Sequence, residues 1–412
     1  MPTIATCTIG GTCDIREMTQ QTVDIAIVGA GPVGAALALN LAGAGRSVLL
    51  VDRAALPPME HPDFDGRAYA IAAGSRSLID GAGLWEALPF TPCPIEQIRV
   101  SDGKPGQPAS PMFLHFDHRD VGEAPFGWIV EARALRMAIN RRLAESSVIL
   151  HAPAQATVIR HAGHAEIAVA GHGVYRASLV IAADGRASTL RAQAGIPVTK
   201  FAYRQSAVVC AIAHERSHRN VALEHFLPGG PFAQLPMTDA DGAHISAIVF
   251  TESHAVARRL GAMDDGEFIG EIARRLGDHL GAVRLVGRRW TYPLSALHAH
   301  RYFTTRLALV GDSAHGIHPI AGQGLNLGLR DGMALARLLA TANDPGAPEL
   351  LARYQRARRP DNLMMLAATD ALDRLFSTDL PPVRLARDLG LAAVNRMPRL
   401  KRAFMRTAMG IS

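Results

Sequence analysis

Residues 24 to 34 read Asp-Ile-Ala-Ile-Val-Gly29-Ala-Gly31-Pro-Val-Gly34, and no other stretch limits the fold of this chain so strongly. A four-residue apolar run leads into G-x-G-x-x-G, and Ala35 to Leu41 continues as a helix. A second apolar run, Val48 to Val51, ends at Asp52, 18 positions after Gly34. Strand, glycine turn, helix, second strand and terminal acid in that order make the βαβ unit that binds a dinucleotide. Its glycines serve a tight turn, a close approach to pyrophosphate and close helix–strand packing. The uncharged stretch Ile25 to Gly45 is also long enough to cross a bilayer. Asp24 and Asp52, at the ends the βαβ unit requires, favour strand–turn–helix instead.

A second glycine-rich segment lies more than 250 positions later. An apolar run (Leu307, Leu309, Val310) stops at Gly311-Asp312, and Pro319, Gly322, Gln323, Gly324, Leu325 and Asn326 then open an apolar-periodic helix. Free backbone N–H groups and the positive end of a helix dipole make such a loop a seat for an anion. Between the two lies a third strand-like run, Leu179 to Ala183, ending at Asp184-Gly185.

A chain of 412 residues, 48% hydrophobic and 19% charged, can bury the cores of two or three domains. Residues 1 to 20 are polar, lack the apolar core of a signal peptide and read as a disordered leader. The four cysteines (Cys7, Cys13, Cys93, Cys210) are scattered, without C-x-x-C, as in a reducing compartment. The net charge of +6, from 43 basic and 37 acidic residues, is explained by a solvated basic surface. No nucleic-acid motif accompanies it, so nucleic acid is not an expected partner. Three H-x-x-H pairs (His115/His118, His161/His164, His315/His318) arise by chance among 17 histidines, and no metal site is expected.

The element pattern predicts an α/β fold: a Rossmann-type nucleotide-binding domain interleaved with a β-sheet substrate domain, plus a helical C-terminal region. Its expected parts are nucleotide-binding at 21–90, 129–199 and 291–343, substrate domain at 91–128 and 200–290, and the C-terminal region at 344–412. The spacing predicts a helix over Glu131 to Ala144 with Leu135, Ile139 and Leu143 on one face. It predicts three strands between Val148 and Val169, antiparallel strands over 206–250, and helix over 252–280.

Three Gly/Asp-ended strands in this order resemble the class A FAD-dependent aromatic hydroxylases, the group of para-hydroxybenzoate hydroxylase. Within it, the chain resembles the ubiquinone-biosynthesis hydroxylase family. The resemblance rests on His318-Pro-Ile-Ala-Gly-Gln-Gly-Leu-Asn-Leu-Gly-Leu-Arg-Asp331, on Tyr292-Pro-Leu294, and on Arg353-Tyr354 with Arg358-Arg359-Pro360. It spans roughly residues 22 to 410.

The resemblance implies FAD, with Gly29, Gly31 and Gly34 at its pyrophosphate, Asp52 at the adenosine ribose and Arg53 as a further cofactor contact. The family more often has Glu where Asp52 stands. Arg67 and Arg133 would be further FAD contacts. Asp184 and Gly185 would touch a shared FAD/NAD(P)H region, and Asp312 the ribityl hydroxyls. Pro319, Gly322, Gly324, Leu325 and Asn326 would lie along the flavin ring. Ser313 stands where Ala is common, with little expected effect. Substrate-pocket candidates by resemblance are Gln234, Pro236, Tyr292, Pro293 and His318. No catalytic side chain is identified, because the cofactor carries the hard step while the protein excludes water and orients the substrate.

The implied activity is an NAD(P)H- and O2-dependent monooxygenase acting through a flavin C4a-hydroperoxide on a polyprenyl phenol or benzoquinol of ubiquinone synthesis. Two alternatives stay open: the same chemistry on a small soluble aromatic, and a non-catalytic flavin-binding scaffold of a biosynthetic complex. A flavin halogenase fits poorly, since Trp85, Trp128 and Trp290 stand alone. From Met397 onward, Arg399, Arg402 and Arg406 share one helix face, opposite Met397, Leu400, Phe404 and Ala408. Such a helix rests on a membrane surface or docks on its own domain. The expected location is the cytoplasm, with a peripheral place on the inner membrane surface or a ubiquinone-biosynthesis complex as further partners.

Overall fold

The computed structural model describes residues 21–56, 66–107, 113–240, 242–318, 322–376 and 397–411. The expected leader (1–20), Pro319 and part of the expected C-terminal region (377–396) lie outside the described residues.

The nucleotide-binding unit forms as its sequence requires. Ile25, Ala26 and Ile27 of β1 (Gln21–Val28) are wholly buried, the mark of a strand covered on both faces. Pro32 begins α1 (Pro32–Gly43), where a missing N–H costs nothing and φ is already helical. At 12 residues α1 is too short to span a bilayer. No helix among the described residues is long and apolar enough to cross a membrane.

The first sheet runs in the order Ile149–His151, Val48–Val51, Gln21–Val28, Gly173–Ala182, Leu307–Leu309, Phe303–Thr304. The first five are mutually parallel. From β1 the chain winds outward on one side through Val48–Val51, and on the other through Gly173–Ala182. A crevice therefore opens at the carboxyl ends beside β1, where such sheets bind ligands. Gly29, Asp52, Asp184 and Gly311 all follow the last residues of these strands.

A second, eight-stranded sheet is built on the long antiparallel strands Val198–His214 and Val283–Ala299. One face carries Val208, Cys210, Phe232, Ile248 and Phe250 into a core with the helices His254–Ala262 and Asp265–Leu276. The helix expected over 252–280 is thus two. The Asp264 side chain accepts the Glu267 N–H at 2.8 Å and starts the second. A three-stranded sheet (Ala68–Ala72, Gly127–Glu131, Cys93–Ile95) lies against the other face.

The expected helix forms at Ala132–Ala144 with Leu135, Ile139 and Leu143 buried. The expected limits at 128/129 and 290/291 both fall inside strands, Gly127–Glu131 and Val283–Ala299. Alternating polarity continues through both places, so the sequence pattern offers no break there. The C-terminal region holds the helix Pro348–Phe376, which runs through Pro360, and the helix Pro398–Met409.

Candidate functional site

The three glycines of the first turn have three different surroundings. Gly29 has φ +110°, and a Cβ there would stand 2.2 Å from the Ala183 carbonyl oxygen. A Cβ on Gly34 would stand 2.0 Å from the Gly29 carbonyl oxygen. A Cβ on Gly31 would meet nothing within 4 Å. Gly31 is also the N-cap of α1, without a side-chain cap and with no acid in the first turn. Tight turn, close packing and an open, electropositive cradle thus fall on separate residues.

Asp52 holds the rim of this cradle. Its carboxylate accepts the Ala30 N–H at 2.7 Å and the Ala54 N–H at 2.9 Å. Arg53 is exposed beside it. Arg136 donates to the Ala30 carbonyl at 2.9 Å, and its burial lowers its pKa. Sequence reasoning passed over Arg136, although it lies three residues beyond Arg133, one helical turn along the same face. Arg133 pairs with Glu131 at 2.6 Å and covers the Phe90 ring. Arg67 lies over the Trp290 ring at 4.8 Å.

Across the crevice, Asp184 caps the next turn by accepting the Thr189 N–H at 2.9 Å, while its buried Oδ1 has no partner among the described residues. Gly185 has φ +80° and open space around it. Asp312 is paired with Arg186 at 3.0 Å, and both are partly exposed. Ser313 is wholly buried, and its hydroxyl donates to the Ala182 carbonyl at 2.6 Å while accepting the Val310 N–H at 3.1 Å. It stitches two strand ends together, a larger part than its size suggested.

The helix Gln323–Leu339 starts from Gly322 in the left-handed region (φ 61°), again without a side-chain cap or an acid in its first turn. Gly324 and Leu325 therefore present first-turn N–H groups. The Asn326 side chain instead accepts the Ala72 N–H at 2.8 Å and donates to the Ala70 carbonyl at 2.8 Å. The glycine loop is thereby fastened to the three-stranded sheet.

Beneath this loop lies a buried polar network invisible in the sequence. Asp331 is fully buried, within 2.5 Å of His315 Nε2 and 2.9 Å of Arg358 Nε. It also accepts from Asn362 at 3.0 Å and from the Gly311 N–H at 3.2 Å. Burial alone pushes the Asp331 carboxyl up, but His315, Arg358 and Asn362 outweigh burial and hold it below the ordinary carboxylate value. His318 is buried, edge-on to Tyr203 at 5.0 Å, and burial lowers its pKa to about 4, so it is neutral at pH 7.

A cavity of about 180 Å³ separates the second sheet from the three-stranded sheet, with Ala68 and Ala70 on one wall and Gly322 of the glycine loop at its edge. Strand alternation decides what faces it. Ala233 and Leu235 line it, as do Val249 and Thr251 of the adjacent strand. Gln234 and Pro236 have the opposite parity and point to the other face; Gln234 donates to the Ser246 hydroxyl at 2.9 Å. Neither lines the cavity, because resemblance located the strand but not which alternate residues face inward. Tyr292 and Pro293 are exposed, with Tyr292 stacked beside Trp290, and they too stand apart from the cavity lining. The lining includes Glu224, an acid the sequence reading missed, whose signal was its isolation in the run Val-Ala-Leu-Glu-His-Phe-Leu.

A family model described as an FAD binding domain matches residues 22–368. The ubiquinone hydroxylase UbiL of Rhodospirillum rubrum is 47% identical, over 99% of this chain and 93% of that protein. The 3-demethoxyubiquinol 3-hydroxylase of Escherichia coli is 36% identical, over 96% of this chain and 100% of that protein. Among solved structures, p-nitrophenol 4-monooxygenase of Pseudomonas putida superposes with a TM-score of 0.75 at 18% identity, covering 95% of this chain and 99% of that one. PqsL of P. aeruginosa gives 0.71 at 24% identity, covering 87% and 97%. These two show a shared fold.

Proposed function

This chain belongs to the FAD-dependent aromatic hydroxylases, in the ubiquinone-biosynthesis hydroxylase family, and from that membership we propose that it hydroxylates a polyprenylated phenol or benzoquinol, using NAD(P)H and O2. The observation that carries the substrate reading is the 47% identity to a ubiquinone hydroxylase over nearly the whole chain.

The residues present fit FAD. Gly31 leaves an open approach at an uncapped helix start, and Asp184 Oδ1 is a buried acceptor with no donor among the described residues. In this reading Gly29, Gly31 and Gly34 hold the pyrophosphate. Asp52, with lone pairs beyond the two N–H groups it accepts, holds the adenosine ribose, with Arg53 nearby. Arg67, Arg133, Asp184, Gly185 and Asp312 hold the middle of the cofactor, and Gly322, Gly324, Leu325 and Asn326 border the flavin ring. Bound FAD supplies reduction by NAD(P)H and activation of O2. The chain's own part is to favour negative charge near the ring with the first-turn N–H groups of Gln323–Leu339, and to keep the substrate in a dry cavity. No second dinucleotide fingerprint exists, so NAD(P)H docks transiently in this reading.

The test is an absorbance spectrum of the purified protein, then NADH and NADPH oxidation with a prenylated phenol added. The expected result is a flavin spectrum, oxidation stimulated by the phenol, and a hydroxylated product. Stimulation by small soluble phenols alone would favour the second substrate class; oxidation unresponsive to any aromatic would favour a scaffold.

The C-terminal helix supports a peripheral membrane site. Met405 and Met409 are buried against the body, and Lys401 pairs with Asp120 at 3.1 Å. That docking leaves Met397 and Phe404 about half exposed, beside the exposed Arg399, Arg402 and Arg406. A helix with spare apolar and basic surface suits an anionic bilayer. The chain is expected to sediment with phosphatidylglycerol vesicles, less so at high salt, and Phe404→Ser should weaken this about tenfold, since burying one Phe side chain is worth roughly 1.5–3 kcal/mol. Equal sedimentation of both proteins would rule the helix out as the contact.

A further inference from the structure

The cavity beside the glycine loop contains a carboxyl group that no described residue neutralises. Glu224 lies on the strand Val221–Leu227, opposite Ala233 on one neighbouring strand and Val100 on the other. Its side chain makes no hydrogen bond or ion pair among the described residues, and it lines the cavity that Gly322 borders. The rest of the described lining is hydrocarbon or backbone, except Thr251. Thr251 is 3% exposed, and its hydroxyl also has no partner among the described residues. No other titratable group lines the space among the described residues. The nearest acids on flanking strands are engaged elsewhere: Glu252 is tied to Arg275 at 2.7 Å, and Asp102 accepts the Gly103 N–H at 2.9 Å.

An unpartnered carboxyl group on an apolar cavity is costly unless a ligand completes it. At about 180 Å³ the cavity has room for one aromatic ring, since roughly 150 Å³ suffices for benzene. We propose that Glu224 takes the hydroxyl proton of a phenolic ring bound in this cavity. This rests on the hydroxylase reading above. In the step, the phenol O–H bond breaks and the proton joins the Glu224 carboxylate. The electron pair stays on the phenolate oxygen, making the ring a better acceptor of electrophilic oxygen. Glu224 suits this role, because burial pushes its carboxyl up to about 7. Glu224 is partly exposed and lines the cavity. A base of that strength is half ionised at neutral pH, where general-base catalysis is most effective.

The experiment compares p-cresol with p-xylene, which has the same shape but no hydroxyl, by titration calorimetry on the FAD-loaded wild type and Glu224→Gln, alongside the pH profile of hydroxylation. Wild type should prefer p-cresol, with a preference that falls as pH drops below about 7. Glu224→Gln should lose about tenfold of the preference, as for a hydrogen bond to a charged group. It should also lower kcat/KM by at least about 100-fold and remove the acid limb of the profile. An unchanged preference in Glu224→Gln, or an acid limb that persists in it, overturns the proposal. The pH dependence of cresol binding in wild type decides the matter if the variant does not fold: a preference flat from pH 5 to 8 also overturns it. Should wild type hydroxylate no phenol at all, the hydroxylase reading fails, and the binding arm still decides whether Glu224 meets the hydroxyl.

Discussion

Gly31→Val is expected to yield a folded protein that no longer retains FAD, whereas Gly29→Ala is expected to lose both fold and cofactor. The two glycines stand two residues apart and carry opposite constraints. At Gly31 the backbone is extended (φ −64°, ψ 174°), a conformation open to any residue and favoured before Pro32. A Cβ there meets nothing within 4 Å beyond its chain neighbours, so stability should change by less than about 1 kcal/mol. The same side chain fills the space through which a pyrophosphate approaches the α1 N-terminus, and flavin affinity should fall at least 100-fold, about 3 kcal/mol. At Gly29 the new Cβ would stand 2.2 Å from a backbone oxygen of the neighbouring strand, with φ at +110°. Neither the contact nor the dihedral can relax without parting β1 from Gly173–Ala182, and several kcal/mol are lost. Thermal unfolding together with bound flavin per chain separates the cases. A Gly31→Val protein that keeps its flavin would show that the pyrophosphate lies elsewhere.

The same contrast explains what the sequence could and could not reveal. The βαβ unit was legible because its information is local: an apolar run, three glycines at fixed spacing and a terminal acid within 30 residues. The helix at Ala132–Ala144 and the strands between 148 and 169 were legible for the same reason, a periodicity contained within each element. Parity in the second sheet was not. Phe232 to Pro236 carries only one polar residue, Gln234, so its sequence does not mark either face as the outer one. Nothing in the string tells which alternate residues face the cavity, which Ala233 and Leu235 line and Gln234 and Pro236 do not. The Asp331 network joins residues from four elements and has no spacing at all. Glu224 left only a faint trace, a single acid in an apolar strand, whose meaning depends on what the fold sets opposite it.

Asp331→Asn is expected to destabilise the protein by about 3 kcal/mol at pH 7, with a penalty that narrows in acid. Asp331 has no exposure, and Arg358 has little (11%), so the pair is held away from water. Removing one partner of such a pair leaves a buried charge uncompensated, at a cost of roughly 3–5 kcal/mol. The lower end applies here, because Arg358 retains Asp361 at 2.8 Å and Asn362 at 3.0 Å. Since the folded carboxyl is held below its ordinary value of 3.8, the stability it contributes is complete above that value and is lost as pH falls through the folded one. Asn does not titrate, so the wild-type advantage should be full at pH 7 and shrink below about pH 4. Urea unfolding of both proteins at pH 7 and at about pH 2.5, below the ordinary carboxylate value, measures this. The effect should reach the cofactor as well, because Asp331 accepts the N–H of Gly311, whose turn carries Asp312. Loosening that turn should speed flavin release even where the protein is still folded. A pH-independent difference would mean that Asp331 acts through shape alone, with no ionised carboxylate at the centre of the network.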